Sequence, residues 1–360
     1  MNSDHPNFQN IGLIVWYDHD HFGFGQVIQD TLEQLDYRVS PFCFDEPIPS
    51  GVDLLFSFGP FGPQIGRYLP VPQQLARLSR SKRPLYIHWN TELLPHPQTP
   101  HLVLITVGEF RSWVDRLADS PLPWLRKSAR RPPISWITSR LHRFRRLGDY
   151  RYARRIVGID LLVESSQVYA QLFQRQGFPA IYVPWGTAQA WYQDLDLPRD
   201  IDVLWMGRRG GRRRSNLLDT IRAELEANDI QMYVADNEEH PAIIGEERTR
   251  FLNRSKISLN LEPTHYDNAF PYRFHTIAGN RCLVVSELIY PHCSVYQSGV
   301  HYVSAPPGDL ASTILYYLKN EDERQRIADA AYHLVTEELT FANSVRSILV
   351  AASQIRSIDP

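Results

Sequence analysis

The sequence predicts an α/β protein made of two doubly wound domains, in which each parallel sheet carries helices on both faces. Apolar runs typical of buried strands alternate along the chain with amphipathic helical stripes. This alternation stops in a polar, proline-containing stretch near residue 190 and then starts again. The length of 360 residues is sufficient for two separate cores. We therefore expect two consecutive α/β domains.

The first half opens with the continuous apolar run 11–17, which predicts a strand covered on both faces. A helical stripe follows between Val27 and Leu35, so the chain starts with a β-α unit. Further strands are predicted at 52–58, 84–89, 159–163 and 180–183, and the clearest later helix at 167–176. Together these elements form the predicted N-terminal domain, residues 1–188.

The second half begins with the apolar run 201–206, directly after a polar linker that ends at Asp200. Its other strands are predicted at 230–234, 256–261 and 282–286, and its helices at 217–225, 310–318, 327–335 and 341–349. The predicted C-terminal domain therefore covers residues 200–339, and a final helix lies within 340–360.

Composition and charge exclude several functional classes. Lys and Arg number 38 and Asp and Glu number 40, and this balance gives no overall attraction to nucleic acid or to an anionic membrane. The three cysteines form no CxxC pair, which excludes a zinc ribbon and favours a reducing compartment. No apolar run has the length of a signal-peptide core or a membrane span. We expect a cytoplasmic protein that binds no nucleic acid.

One proline-punctuated insertion, residues 121–155, departs from this balance. Its part 126–155 contains eleven Lys or Arg and a single acidic residue, Asp149, which makes a local charge of +10. Beside Trp136, three apolar residues lie among the arginines at helical spacing: Ile137, Leu141 and Phe144. Basic amphipathic helices bind anionic membranes, so we expect reversible peripheral docking. The alternative is an arm whose arginines pair with acidic residues of the same chain.

A second feature is the run 207–214, Gly-Arg-Arg-Gly-Gly-Arg-Arg-Arg, between a predicted strand and the next predicted helix. Open α/β sheets bind ligands at the carboxyl ends of their strands, where glycines allow close approach and helix N-termini favour phosphate. Five arginines add bidentate donors for a diphosphate. A solvated basic loop is the alternative.

Titratable residues also follow two strands of the N-terminal domain. Asp20 and His21 end the run Asp-His-Asp-His before a glycine turn, and Glu92 follows the strand 84–89. Each could act as a general base at the carboxyl edge of the sheet. Four consecutive side chains cannot all converge on one ion, which disfavours a metal site at 18–21. A hydrated loop without a role is the other alternative there, and we predict no metal site.

The segment 259–287 carries a more specific pattern. Its features, in order, are a strand with Leu259-Asn-Leu, a helix opening with Arg273-Phe-x-x-x-Ala, a turn with Gly279, and the apolar strand 282–286. This arrangement resembles the C-terminal half of the group 1 glycosyltransferases, with the closest likeness to the branch of the spore-maturation glycosyltransferases. The resemblance is specific over residues 160–350.

The resemblance implies two facing Rossmann-like domains of the GT-B type, with a nucleotide-sugar held mainly by the second and an acceptor by the first. It also implies that the C-terminal helix returns to the N-terminal domain. The matching donor-site residues are Gly207, Arg208 and Arg213 for the diphosphate, Asn260 for the pocket lining, and Arg273 at the helix start. No cofactor is implied, because the nucleotide-diphosphate sugar is a substrate.

Three positions depart from the family's pattern. His275 stands where the family commonly has a donor-contacting glutamate, Asp267 where it has a second glutamate, and Asn280 where it has a glycine. We count His275 among the predicted donor-site residues. The leading prediction is a metal-independent glycosyltransferase of the hexosyltransferase type. The alternatives are a catalytically inactive binding or scaffold protein on this fold, and a sugar-nucleotide epimerase.

Overall fold

The structure, a computed structural model, describes residues 8–15, 23–59, 70–118, 120–264, 272–288 and 295–358. It divides into two compact units: a first unit, Met1–Val183 with Val345–Pro360, and a second unit, Pro184–Ser344. The predicted residues Asp20, His21 and Asp267 lie outside the described ranges.

The first unit contains six strands: β1 (Asn10–Val15), β2 (Arg38–Cys43), β3 (Leu54–Phe58), β4 (Leu85–Asn90), β5 (Leu161–Glu164) and β6 (Ala180–Tyr182). They form one parallel sheet in the order β2-β1-β3-β4-β5-β6. Five of them confirm strands predicted from apolar runs. Strand β2 was not predicted, because this edge strand is mostly polar or half-exposed and contains Pro41, which only edge strands tolerate.

Seven α-helices surround this sheet within the described residues: α1 (Phe24–Gln34), α2 (Pro70–Ala76), α3 (His101–Ala118), α4 (Pro123–Ala129), α5 (Ile134–Arg140), α6 (Arg145–Ile156) and α7 (Gln167–Arg175). The insertion therefore folds as three helices, and the stripe predicted around Ile137 is split because α5 ends before a 3₁₀ turn at His142–Phe144. Helices α3 and α6 cross closely at Gly108 and Gly148. A Cβ atom at Gly148 would lie only 2.0 Å from the Gly108 carbonyl oxygen, so the crossing requires glycine there.

The second unit contains five strands: β7 (Ile201–Met206), β8 (Met232–Ala235), β9 (Ser255–Asn260), β10 (Leu283–Ser286) and β11 (Val303–Ser304). They form a parallel sheet in the order β11-β10-β9-β7-β8. Chain order reverses between β7 and β9, and in doubly wound sheets ligands bind outside the carboxyl ends of the strands at such a reversal.

Both faces of the second sheet are buried. Val203 and Trp205 belong to one core cluster, and Leu204 between them belongs to the other. The covering helices are α8 (Arg212–Glu226), α9 (Gly245–Arg254), α10 (Tyr272–Ala278), α11 (Leu310–Lys319) and α12 (Glu321–His333). This two-sided burial explains why its strands read as continuous apolar runs rather than as alternating patterns.

The last helix, α13 (Phe341–Ile358), begins in the second unit, and its residues from Val345 belong to the first. Just before it, the chain pairs with the segment that opens the second unit. The Thr187 N–H donates to the Leu339 carbonyl at 2.7 Å, and the Phe341 N–H donates to the Thr187 carbonyl at 3.0 Å. Trp185 and Trp191 stack at 6.0 Å between ring centres, and Phe341 meets both edge-on. The segments through which the chain enters and leaves the second unit are thus held side by side by hydrogen bonds.

Throughout the part of the chain that the structure describes, no helix combines the length and apolarity needed to cross a membrane.

Candidate functional site

The reversal point of the second sheet is built around Gly207, the residue directly after β7. Its φ of +117° is one that residues with a Cβ rarely adopt. A Cβ atom there would also lie 3.1 Å from Nη2 of Arg273. The backbone turn requires glycine, and a side chain there would also crowd the arginine. Two residues predicted for the donor site therefore lie next to each other.

Arg273, at the start of α10, is half-buried against Trp205. Its guanidinium carbon lies 4.5 Å from the centre of the indole ring, and its Nη1 donates to the Leu261 carbonyl at 3.0 Å. The Trp205 indole N–H donates to the Gly207 carbonyl at 2.9 Å. Desolvation lowers the pKa of Arg273 to about 10, opposed by nearby Glu262 and assisted by Arg214. The site thus holds a cation that is poorly solvated before any anion arrives.

Arg213 occupies the first turn of α8 and is held by a carboxylate. It pairs with Glu287, the residue directly after β10, through both carboxylate oxygens. It also donates to the Glu262 carbonyl at 3.1 Å, and Glu287 accepts the Glu262 N–H at 3.1 Å. This closed group joins the carboxyl ends of β9 and β10 to the N-terminus of α8.

The start of α8 is electrostatically unfavourable for the protein alone. Arg212, Arg213 and Arg214 fill its first turn, at the positive end of the helix dipole, and its N-cap Gly211 provides no side-chain cap. Anions are the ligands that such a terminus stabilises, through free backbone N–H groups and the helix dipole. This arrangement is compatible with a bound anion, and the diphosphate site in the run 207–214 stays a prediction.

Of the other arginines in the run 207–214, some hold the loop through contacts inside the protein and some are exposed. Arg209 pairs with Asp219 and Asp236, and these hydrogen bonds raise its pKa. Arg214 donates to the carbonyls of Arg208 and Arg209, which fixes the loop. Arg208 itself is exposed. The sequence predicted five equivalent donors, whereas in the structure Arg209 and Arg214 hold the loop in shape.

Asn260 ends β9 and is buried. Its amide nitrogen donates to the Ser286 hydroxyl at 3.0 Å, and that hydroxyl donates to the Asn260 carbonyl at 3.1 Å. The pair ties β9 to β10 at their carboxyl ends. Asn260 therefore lies at the predicted edge of the sheet, with its amide nitrogen used inside the protein.

His275, the predicted donor contact, is fully buried on α10. One ring nitrogen is 2.6 Å from the Thr187 hydroxyl, and the other is 2.5 Å from the Tyr296 hydroxyl. Desolvation lowers the pKa of His275 to about 3, so the ring is neutral at ordinary pH. These bonds link α10 to the segment that opens the second unit, and a direct contact of His275 with a donor stays a prediction.

In the first unit, Glu92 lies just after β4. Its carboxylate is 3.9 Å from a guanidinium nitrogen of Arg146 on α6, and burial raises its pKa against the effect of Arg146 and Arg145. A general base needs access to its substrate's proton, and a partly buried carboxylate of raised pKa suits that role. The base function of Glu92 stays a prediction, as does that of Asp20 and His21.

A buried hydrogen-bond network that the sequence analysis missed stands beside Glu92. His88 bonds to the Ser57 hydroxyl at 2.7 Å and to the Tyr150 hydroxyl at 2.8 Å. Tyr150 donates to the Asn90 side-chain oxygen at 2.8 Å, and Asn90 donates to Glu164. The network crosses β3, β4, β5 and α6, and it fixes the loop that carries Glu92. Its only sequence signal was polar residues inside apolar runs.

The arginines of α6 pair within the first unit. Arg145 lies 3.3 Å from Asp115 on α3, and Arg146 lies 3.5 Å from Asp149. Arg151 and Arg155 both pair with Glu109. This half of the basic insertion follows the self-pairing alternative. Within the described ranges, no group of three or more His, Cys, Asp or Glu side chains is arranged to hold a metal ion.

Comparison with known proteins places the fold in one class: the chain has the GT-B fold of two Rossmann-like α/β domains. Sucrose-phosphate synthase from Thermosynechococcus elongatus is similar over 97% of this chain and 100% of its own, with a TM-score of 0.57 and 12% identity. HepE from Anabaena, solved with UDP-glucose, is similar over 98% of this chain and 99% of its own, with a TM-score of 0.50 and 11% identity.

The sequence itself gives a narrower match. Residues 212–350 match the profile of a family described as glycosyl transferase-like. No curated protein sequence matches the chain significantly. The matched region contains α8, Arg273 and Glu287, and the likeness to the spore-maturation branch stays a prediction.

Proposed function

We propose that the protein is a glycosyltransferase whose second unit binds a nucleotide-diphosphate sugar and whose reaction transfers the sugar to an acceptor. The observation that carries this proposal is the convergence of Arg213, Arg273 and the uncapped N-terminus of α8 at the reversal point of a parallel sheet. The match of residues 212–350 to a glycosyl transferase-like family supports the same reaction class.

In the proposed mechanism, the protein's own cations stabilise the leaving nucleoside diphosphate. Negative charge accumulates on the diphosphate as the glycosidic bond to the donor breaks. Arg213 and Arg273 are held in place before binding, so little reorganisation accompanies the reaction. Positioned cations can replace a divalent metal in this role, and we propose metal-independent transfer of a hexosyl group.

Each predicted donor-site residue receives a role in this proposal. Gly207 lets the backbone approach the diphosphate, the exposed Arg208 adds a cation, and Asn260 lines the sugar side of the site. His275 acts through its bonds to Thr187 and Tyr296, which set the position of α10 and hence of Arg273. Asp20, His21 or Glu92 would accept the proton of the acceptor hydroxyl.

A thermal-shift panel of nucleoside diphosphates and nucleotide-sugars tests donor binding, starting with UDP and UDP-glucose. A ligand at one hundred times its dissociation constant adds about 2.7 kcal/mol to the free energy of unfolding. We expect one nucleotide to raise the unfolding temperature of the wild type and to have a much smaller effect on Arg213→Ala. Absence of a shift with every nucleotide would overturn the proposal.

Turnover then separates the three candidate functions. Release of nucleoside diphosphate that depends on an added acceptor extract supports transfer. Binding without any turnover supports the scaffold alternative, and conversion of the nucleotide-sugar to its epimer without an acceptor supports the epimerase alternative.

A further inference from the structure

Exposed apolar side chains concentrate on three neighbouring helices of the first unit. Of the 15 large hydrophobic side chains that are exposed among the described residues, eight lie between Leu102 and Ile137. The most exposed are Leu102 at 73% on α3, Trp124 at 64% on α4 and Trp136 at 56% on α5. Scattered exposed hydrophobics are ordinary, but such a concentration marks an interaction surface.

These side chains lie on connected elements. On α3, Leu102, Phe110 and Trp113 follow helical spacing along one exposed face. Another face of α3 packs against α6 through Gly108, so the exposed residues point away from the unit's interior. Helix α3 also contacts α4, and α4 contacts α5. We call the exposed residues of α3, α4 and α5 between positions 102 and 140 the α3–α5 surface.

The part of this surface on α4 and α5 carries charge of one sign. Residues 120–144 contain six Lys or Arg and no Asp or Glu. Arg126, Lys127 and Arg131 are exposed, and their side chains form no ion pair with any described residue. The guanidinium of Arg140 lies 3.7 Å from the centre of the Trp136 ring. Arg126, Lys127 and Arg131 differ in this respect from the arginines of α6 that pair with Asp115 and Glu109.

We propose that the α3–α5 surface docks the protein on an anionic lipid bilayer, independently of nucleotide binding. Tryptophan rings and leucine side chains enter the boundary between headgroups and acyl chains, where aromatic side chains with a polar edge are favoured. The unpaired cations contact anionic headgroups at the same time. The exposed residues of this surface that the structure describes combine apolar bulk with cations and include no Asp or Glu, and such a surface is complementary to an anionic bilayer.

Docking at this surface would bring the bilayer close to the acceptor side of the first unit. Arg143 follows α5, and its Nη1 donates to the Leu94 carbonyl at 3.3 Å. Leu94 belongs to the loop after β4 that carries Glu92. The segment directly after α5 therefore contacts the loop that carries the predicted general base, within one unit.

Co-sedimentation of the full chain with vesicles tests the proposal. The vesicles contain phosphatidylcholine alone or with 30% phosphatidylserine, roughly the anionic fraction at which surface potentials become substantial. The charge variant is Arg126→Glu/Lys127→Glu/Arg131→Glu, and its control reverses three exposed cations elsewhere: Arg250→Glu/Lys319→Glu/Arg326→Glu. The apolar variant is Trp124→Ser/Trp136→Ser, and its control is Ile244→Ser/Val300→Ser.

We expect binding to phosphatidylserine vesicles at low salt that falls at least tenfold at high salt, because exposed charges are screened. The charge variant should lose at least tenfold in partitioning and the apolar variant several-fold, whereas both controls bind like the wild type. Circular dichroism confirms that every variant is folded.

Three results would overturn the proposal. The first is wild-type protein that stays in the supernatant at low salt. The second is an equal loss of binding in the variants and in their controls. The third is self-association in sedimentation velocity that the apolar variant abolishes while vesicle binding persists, because the surface would then be an interface between copies of this chain.

Discussion

Replacing Arg273 by methionine separates the function of this cation from its contribution to stability. Methionine keeps an unbranched side chain that can lie over Trp205, while it removes the charge and the hydrogen bond to the Leu261 carbonyl. The pKa of Arg273 falls from 12.5 to about 10 because burial disfavours its charged form. At neutral pH the folded protein therefore holds this cation at a free-energy cost.

The size of each effect follows from these contacts. A decrease of about 2.5 pKa units corresponds to roughly 3 kcal/mol of unfavourable desolvation, at 1.36 kcal/mol per unit. The lost hydrogen bond costs about 1 kcal/mol and the lost stacking about 0.5–2 kcal/mol. Arg273→Met should thus leave the free energy of unfolding unchanged or raise it by about 1–2 kcal/mol. Loss of a charged hydrogen bond to phosphate costs about 1.5–3 kcal/mol, or a 10- to 150-fold weaker affinity.

Isothermal titration calorimetry with the nucleoside diphosphate found in the thermal-shift panel measures the affinity, and urea unfolding measures stability. The control is Arg250→Met, which removes an exposed cation of the same unit. Unchanged affinity in Arg273→Met, or a loss of affinity that is explained by a loss of stability, would refute the reasoning.

Three further predictions concern the same unit. Gly207→Ala should lower stability by about 1–3 kcal/mol because alanine disfavours this φ, and it should lower nucleotide affinity because the new Cβ displaces Arg273. Urea unfolding and calorimetry measure the two effects, and a substitution without effect on either would contradict the prediction. Glu287→Gln should tighten nucleoside diphosphate binding several-fold at low salt by removing a carboxylate that pairs with Arg213, and this gain should vanish when Arg213→Ala is added. The folded-state pKa of His275 is about 3, below its usual value of about 6.5, so its contribution to stability is present above pH 6.5 and is lost as pH falls towards 3. When pH falls from 7 to 4.5, the free energy of unfolding of His275→Gln should therefore decrease by about 2–3 kcal/mol less than that of the wild type. Equal decreases in the two proteins would contradict the assigned burial.

The inner strands of both sheets were predictable because they carry a strong local signal, whereas the edge strands β2 and β11 were not predicted. Buried parallel strands are continuous apolar runs, and β7 was predicted with its observed bounds. The three helices of the insertion gave a weaker signal. Each of α4 and α5 spans seven residues, and neither has a side-chain N-cap. Short uncapped helices are defined by their tertiary contacts, which a single sequence does not display.

The candidate donor site was predictable in part for a similar reason. Gly207 and Arg213 lie in one motif, and Arg273 belongs to a second motif that the resemblance singled out. Glu287 and Trp205 were missed as site residues because their roles depend on partners far along the chain; Arg213 and Glu287, for example, are 74 positions apart. The position of Glu287 directly after an apolar strand was the signal that could have found it.

The second unit is inserted in the chain of the first, and the segments at Thr187 and Leu339 pair where the chain enters and leaves it. Its two ends are therefore adjacent and hydrogen-bonded to each other, and the aromatic rings of Trp185 and Phe341 are in contact beside them. Adjacent termini are the geometry in which one domain can be transplanted, exchanged or circularly permuted without stretching its host. The same property allows a lineage to replace the whole second unit by recombination at two neighbouring points, while the first unit and its α3–α5 surface remain unchanged.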